Sequence, residues 1–252
     1  MKRTYLVTLT FLLTLVFIVW QAPASVIGAV LRQATHGAWD LAGASGTVWN
    51  GQGVITGKAG QDAPQANLPP LGWQLAGLKG GSLRFLVTSS GQPAGEVLAG
   101  LAGWQANLRG LSMDAKEATP LLSGLLSKGD WRGLLNFQQV AANGNWRSAQ
   151  VSQLEMAWLN AATGLMPKGE LGSFVIKGQS ENQGLSFSIS SQDGPLQITG
   201  LGSFSAQQGF RFNGELTDNA GLAAQFPGFL GAYLQPTGQP GRYTLRISQL
   251  DL

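Results

Sequence analysis

"GTVWNGQG", running from Gly46 to Gly53, decides how the chain is to be read, because a glycine-rich span of this kind either cradles a phosphate or turns a corner. Gly51-Gln52-Gly53-Val54-Ile55-Thr56-Gly57 spells G-x-G-x-x-x-G, one residue longer than the dinucleotide fingerprint, and no helix opening follows it. Gly57-Lys58 lacks both the earlier glycine and the following Ser or Thr of a Walker A loop. Asn50-Gly51 lies between two runs of strand formers, Thr47-Val48-Trp49 and Val54-Ile55-Thr56. Asn-Gly tolerates positive φ at both central positions of a type I′ turn, so the stretch reads as a β-hairpin turning at Asn50-Gly51.

Strand signals continue outward from it. Leu71–Gly77 and Ser82–Ser89 read as neighbours joined through Lys79-Gly80-Gly81, and Glu96–Ser112 reads as one long glycine-bent strand or two. Leu185, Phe187 and Ile189 alternate with Ser186, Ser188 and Ser190, and Gln192-Asp193-Gly194-Pro195 turns into Leu196–Thr199. Phe210, Phe212 and Leu216 extend the pattern, and Tyr243–Ile247 supplies a closing strand. Two short helices are expected among these strands. One is capped at Thr119-Pro120 and carries Leu121, Leu122, Leu125 and Leu126; the other runs over Ala220–Tyr233, is capped by Asp218 or Asn219, and is broken or kinked at Pro227-Gly228. Leu171-Gly172-Ser173-Phe174 recurs as Leu201-Gly202-Ser203-Phe204, which suits either a repeated hairpin unit or chance in a Gly- and Ser-rich chain. The expected fold is mainly β, a curved, mostly antiparallel sheet, sandwich-like in one version.

Composition supports that class. Charged residues are only 12% of the 252, against a usual share of about 25%. Gln, Asn, Ser and Thr, dense from Lys177 to Gly221, must therefore supply the polar face of a sheet whose other face is apolar. The 36 glycines favour turns and bends over long helices.

The N-terminus reads differently. Lys2 and Arg3 are followed by no charge until Arg32, and Thr4–Trp20 is apolar apart from threonines and one tyrosine. A helix from Thr4 to Ile27 would have the roughly 20 residues needed to cross a bilayer, with Trp20 at the far interface and the basic pair left in the cytoplasm. A cleaved signal peptide competes, since Ala22-Pro23-Ala24 offers an A-x-A site, but the apolar run exceeds the usual length of about 7–15 for a signal core. The expected division is a cytoplasmic tip at 1–3, a transmembrane anchor at 4–27 and a periplasmic β-rich domain at 28–252, with Lys2, Arg3 and Trp20 at the membrane interfaces. Removing Lys2 and Arg3 from the 16 basic residues leaves 14 against 13 acidic ones, so the exported part is nearly neutral. With no basic stripe, nucleic acid is not an expected partner.

No constellation of catalytic residues stands out. There is no cysteine, so no thiolate metal site or disulfide is available, and His36 is the sole histidine, which removes a His-x-x-x-His zinc pair and a Ser-His-Asp triad. The close acidic pairs, Asp114 with Glu117 and Glu215 with Asp218, each precede a proposed helix, where carboxylates are ordinary N-terminal electrostatics. The expectation is no catalytic residue, no metal ligand and no cofactor. Apart from Trp20, the tryptophans fall between Trp39 and Trp158; they read as large core residues filling the space that glycine leaves, or as an aromatic binding surface.

One apolar segment, Pro23 just beyond it, and Trp39-Asp40-Leu41 leading into Gly46-Thr47-Val48-Trp49-Asn50-Gly51 resemble protein N of the bacterial type II secretion system. Leu171-Gly172, Gly194-Pro195-Leu196 and Gly241-Arg242-Tyr243-Thr244-Leu245 agree later in the chain, and the G-T-x-W-x-G hexad is the sharpest element. The resemblance implies a bitopic inner-membrane protein with a periplasmic β-rich body, accessory to secretion and without catalytic residues. It implies inner-membrane platform proteins as partners, with the outer-membrane secretin as a further possible contact, and Gly46, Thr47, Trp49 and Gly51, joined by Asn50, as a structural hairpin motif. Two roles are then open: a scaffold that binds neighbours through strand edges or a sheet face, or a periplasmic lipid-binding or lipid-shuttling β-groove. A groove continuous over most of the sheet would favour lipid, and a filled core with exposed edges would favour scaffolding.

Overall fold

The computed structural model describes residues 2–35, 37–57, 65–121, 129–166, 169–181, 184–205, 209–226 and 228–248. His36 lies outside the described residues, as do Leu122, Leu125 and Leu126 of the first expected helix. The described chain opens with two helices, α1 (Lys2–Trp20) and α2 (Ser25–Ala34), and then forms strands. These are β1 (Trp39–Gly46), β2 (Asn50–Gly57), β3 (Ala66–Asn67), β4 (Leu71–Lys79), β5 (Ser82–Ser89), β6 (Gln92–Ala99), β7 (Trp104–Leu108) and β8 (Leu111–Asp114). A short helix α3 (Ala115–Ala118) precedes β9 (Trp131–Asn145), β10 (Ser148–Thr163), β11 (Glu170–Glu181), β12 (Gly184–Asp193), β13 (Leu196–Ser205) and β14 (Gly209–Asp218). Helix α4 (Gly228–Gly231), β15 (Leu234–Pro236) and β16 (Arg242–Ser248) follow.

All sixteen strands belong to one open antiparallel sheet, laid down almost in chain order from β1 to β14, with β16 and then β15 at the far edge and β3 and β8 as side pairings on β2 and β9. Short turns suit that order. Lys79 pairs with Ser82 across Gly80-Gly81, both at positive φ, as a tight hairpin demands. The Glu96–Ser112 segment contributes parts of three strands rather than one or two, because Gly103 and Gly110, both at positive φ, interrupt it. The longest strands, β9 and β10, are paired around Asn145, whose side-chain oxygen accepts from the Arg147 and Ser148 amides.

Directly paired residues share a face, so the registers define it. One row runs Gly46, Gly51, Trp73, Val87, Gly95 and Leu108. The same row continues through Val140, Leu154, Gly178, Phe187, Gly202, Phe212 and Ile247. No member is polar. The adjoining row on the other face carries Asn50, Gln74, Leu86, Glu96, Asn107 and Ala141, then Gln153, Gln179, Ser186, Ser203, Arg211 and Ser248. The sheet is amphipathic across nearly its whole width, which at about 4.8 Å per strand is roughly 60 Å.

The buried core lies at one end of the apolar face. Met166, Leu171, Phe174, Leu196, Leu216 and Leu222 form one cluster with Trp158, Phe226 and Leu234 packed on it. Met113, Ala115 and Leu135 form a second, joined through Trp131 and Trp158, whose rings meet edge-on at 5.7 Å. Neither cluster contains a residue of β4–β7.

Three helical expectations are corrected. The N-terminal helix does not continue to Ile27: α1 stops at Trp20 and α2 starts at Ser25, since Pro23 has no N–H to donate and disfavours helix at Ala22. Among the described residues no helix is long and apolar enough to cross a membrane. Ahead of the helix placed at Thr119-Pro120 lies another turn, α3, capped by Asp114, whose carboxylate accepts from the Lys116 amide at 2.9 Å; a 3-10 turn follows at Thr119–Leu121, and residues 122–128 lie outside the described residues. Thr119 closes α3, its hydroxyl donating to the Ala115 carbonyl. The Ala220–Tyr233 helix is two fragments, a 3-10 turn at Ala223–Gln225 and α4; Pro227, where the break was expected, lies outside the described residues. Asp218 caps the first as expected, accepting from the amides of Ala220, Leu222 and Ala223.

The repeated Leu-Gly-Ser-Phe is not a structural repeat. In β13 the regular alternation puts Leu201 and Phe204 on opposite faces, and Leu201 is 71% exposed. In β11 the pairing slips at Gly172 and Ser173, with Gly172 at φ +121°, and both Leu171 (8% exposed) and Phe174 enter the core. An extra residue at a bulge reverses the alternation beyond it.

Candidate functional site

The Gly46–Gly51 stretch is the junction between the apolar helix and the sheet. A hairpin joins β1 to β2, but its turn is not Asn50-Gly51: Gly46 pairs with Gly51, leaving Thr47–Asn50 as the loop. The Thr47 amide donates to the Asn50 carbonyl at 2.8 Å, and the Thr47 hydroxyl accepts from the Trp49 and Asn50 amides. A Thr side chain capping its own loop replaces the two positive-φ positions of a type I′ turn, and Gly46, at φ +87°, takes the left-handed conformation instead. Gly51 is needed for space, since a Cβ there would lie 2.6 Å from the Ser45 carbonyl and 2.7 Å from the Trp73 ring.

This loop grips the link between α1 and α2. The Val48 amide donates to the Ala22 carbonyl and the Ala24 amide to the Gly46 carbonyl, at 2.9 and 3.0 Å. Pro23 forms an isolated antiparallel bridge with Thr47, and the Trp49 indole N–H donates to the Val19 carbonyl at 3.0 Å. Trp73, on β4, reaches back with its own indole N–H to the Thr47 carbonyl. Sequence reasoning found the hexad but missed Trp73; the aromatic residue of the next strand was the available signal. On the other side α2 packs on β1, with Gly28 against Leu41 and Arg32 paired to Asp40 at 3.3 Å.

Lys2 and Arg3 open α1 and Trp20 closes it, so the three expected interface residues sit at the two ends of one helix. From Val7 to Trp20 every residue of α1 is exposed. The structure does not bring Lys2 and Arg3 to the hairpin; it brings the Trp20 end there.

Two carboxylates, Glu96 and Asp218, are held by neighbouring donors. Glu96 accepts from Lys79 at 2.8 Å and Arg84 at 2.7 Å, and those two bonds, Lys79 first, hold its carboxyl below the usual range. For Asp218, partial burial pushes upward, but the amides of Ala223, Leu222, Ala220 and Gly221 outweigh it and the pKa is lowered. Among the described residues no group of three or more His, Cys, Asp or Glu is placed to hold a metal ion. The tryptophans divide: Trp131 and Trp158 fill the core, Trp49 and Trp73 hold the junction, Trp104 lines the apolar face, and exposed Trp146 bonds the Gly100 and Leu101 carbonyls.

Two concave shallows lie on the polar face. One, of about 510 Å³, is bordered by Leu201, Ser203, Arg211, Asn213, Arg246 and Ser248. The other, of about 560 Å³, lies over Gln52, Gly72, Gln74, Leu86, Thr88 and Pro93 beside the junction. Both are wide open and neither gathers a catalytic pair.

Compared with known proteins, residues 37–246 match the family model described as type II secretion system (T2SS), protein N. No curated protein matches and no solved structure matches. The match spans most of the chain and includes the Gly46–Gly51 hexad, both core clusters and all of the sheet but the last two residues of β16. The chain belongs to the type II secretion system protein N family and is thus a type II secretion component.

Proposed function

We propose that this member of the protein N family is a non-catalytic, accessory scaffold of the secretion machinery, seated in the bacterial inner membrane with its sheet in the periplasm. The observation that supports it most is the junction. An apolar helix, exposed from Val7 to Trp20, is tied by backbone bonds at Ala22, Pro23 and Ala24 to the end of a sixteen-stranded sheet. A helix apolar all round needs a surrounding as apolar as itself. Lys2 and Arg3 at its start favour the cytoplasmic side. The sheet then stands on the opposite side, with its polar face toward water and its neighbours.

Partners in this reading are the inner-membrane platform proteins, met through the polar face of the sheet. The test is in vivo photo-crosslinking from Gln74, Gln153, Ser203 and Ser248, together with secretion of a reporter exoprotein by cells lacking the gene. Crosslinks to other secretion components and a secretion defect restored by the full chain are expected. Normal secretion without the gene, and no crosslink to the machinery, would overturn the role.

A further inference from the structure

We propose that the apolar face over β4–β10 holds the acyl chains of phospholipid drawn from the membrane at the end of α1. The inference goes beyond the scaffold role and does not depend on which secretion subunit the chain touches.

The face is uniformly apolar over more than one row. Beside the row through Trp73 and Leu108 runs a second: Leu75, Phe85, Val97, Ala106, Ala142 and Val151, in register from β4 to β10. A third joins Leu78, Leu83, Ala99, Trp104, Gly144 and Ala149. Across these three rows no side chain offers a hydrogen bond except the Trp73 and Trp104 indoles, and the Trp73 N–H is already given to Thr47. The face is incompletely shielded: Phe85, Val97 and Ala106 are only half buried, Leu78 is 75% exposed, and neither core cluster contains a residue of β4–β7. A partly open apolar surface that runs in register across so many strands marks a binding site.

The chemistry of the face selects the occupant. A peptide strand laid on it would find no backbone partner, because every N–H and C=O of the sheet points along the ladders, and its own amides would be desolvated at a cost of a few kcal/mol each. An alkyl chain has no such groups to satisfy. Position points the same way: the first apolar row begins at Gly46, whose carbonyl accepts from the Ala24 amide, beside Val48 and Trp49, which bond Ala22 and Val19 where α1 ends, and Trp73 of the same row bonds the Thr47 carbonyl of that loop. The exposed apolar surface of α1 and the apolar face of the sheet thus meet at one junction, which gives an acyl chain a path between them without crossing water.

The experiment uses the full chain in vesicles of ³²P-labelled phosphatidylethanolamine and phosphatidylglycerol, with p-benzoylphenylalanine at single positions. Phe85, Val97 and Ala106 report the apolar face; Gln74, Leu86 and Gln105, on the same strands, report the polar face at the same distance from α1. Far-UV circular dichroism confirms that each variant keeps its sheet. Label on the first set at least tenfold above the second is expected. Equal label on both sets, no label on either, or crosslinks from the first set to a protein of defined mass, such as a second copy or an apolar partner helix, would each overturn the proposal.

Discussion

Strands β4–β7 and strands β11–β14 follow the same alternation, one face apolar and one polar, yet they treat the apolar face differently. In the second group the rings lie down. Phe187 stacks between Phe210 and Phe212 at 5.5 and 6.3 Å, and its ring occupies the space a Cβ would take at Gly202. The far end of that face is sealed by Met166, Leu222 and Phe226 from the connecting segments. In the first group Leu75, Phe85 and Val97 stand beside one another with no such seal, and Leu78 is 75% exposed. Glycine opposite phenylalanine lets a single-layer sheet cover itself; leucine opposite phenylalanine leaves a surface to be covered by something else.

The largest expected effect that separates the two groups is Leu216→Ala. Leu216 is 2% exposed in the main cluster, and the change should destabilise the chain by about 3 kcal/mol in urea unfolding, because the cavity cannot collapse beneath paired strands. A value near that of an exposed residue would mean the cluster is not a core. Next comes Gly202→Ala, which drives a methyl into the Phe187 ring and should cost about 2 kcal/mol. Combining it with Phe187→Leu should recover the part due to the ring, while the approach to the Arg211 carbonyl at 2.7 Å remains, and additivity of the two would contradict the stacked arrangement.

Asp218→Asn should cost about 1 kcal/mol at neutral pH through the weakened cap at Leu222 and Ala223. The Asp218 carboxyl has a lowered pKa in the folded chain, so its contribution is present above the unfolded carboxylate value of about 3.9 and disappears as pH falls through the lower, folded value. The gap between wild type and variant should therefore narrow below about pH 4; a gap unchanged at pH 2 would contradict the cap. The smallest effect is expected at Phe85→Ser in the open group, below about 1 kcal/mol, since little is packed on that ring to lose. A loss as large as that at Leu216 would show that β4–β7 carry a closed core after all.

Much of this was legible before the structure. Hairpins at Gly80-Gly81 and Asp193-Gly194-Pro195 are set by residues with unusual φ freedom, and β12, β14 and β16 by strict alternation, so local rules sufficed. The long β9 and β10 were not read, because their pairing slips near Gln153, Met156 and Ala162 and each slip disrupts the period-2 signal. The hexad at Gly46–Gly51 was recognised as a corner, but its turn was misplaced: Asn-Gly propensity lost to a Thr47 cap and to tertiary bonds from Ala22 and Ala24 that no local window contains. The apolar rows were invisible in the sequence for a related reason. Val87, Gly95, Leu108 and Val140 acquire a common face only when the registers of four strands are known.

The chain has no cysteine, so single cysteines can carry nitroxide labels without background. The most direct measurement is spin-label collision with oxygen and with a water-soluble nickel complex at each position of Leu83–Val87 and of Leu185–Ile189, in the full chain in vesicles. The account predicts a two-residue alternation in both strands. At Leu83 and Phe85, both half-buried, oxygen should be favoured and nickel excluded, whereas the buried Val87 and Phe187 should be shielded from both. Loss of the alternation in β5, or a Phe85 as closed to oxygen as Phe187, would contradict it.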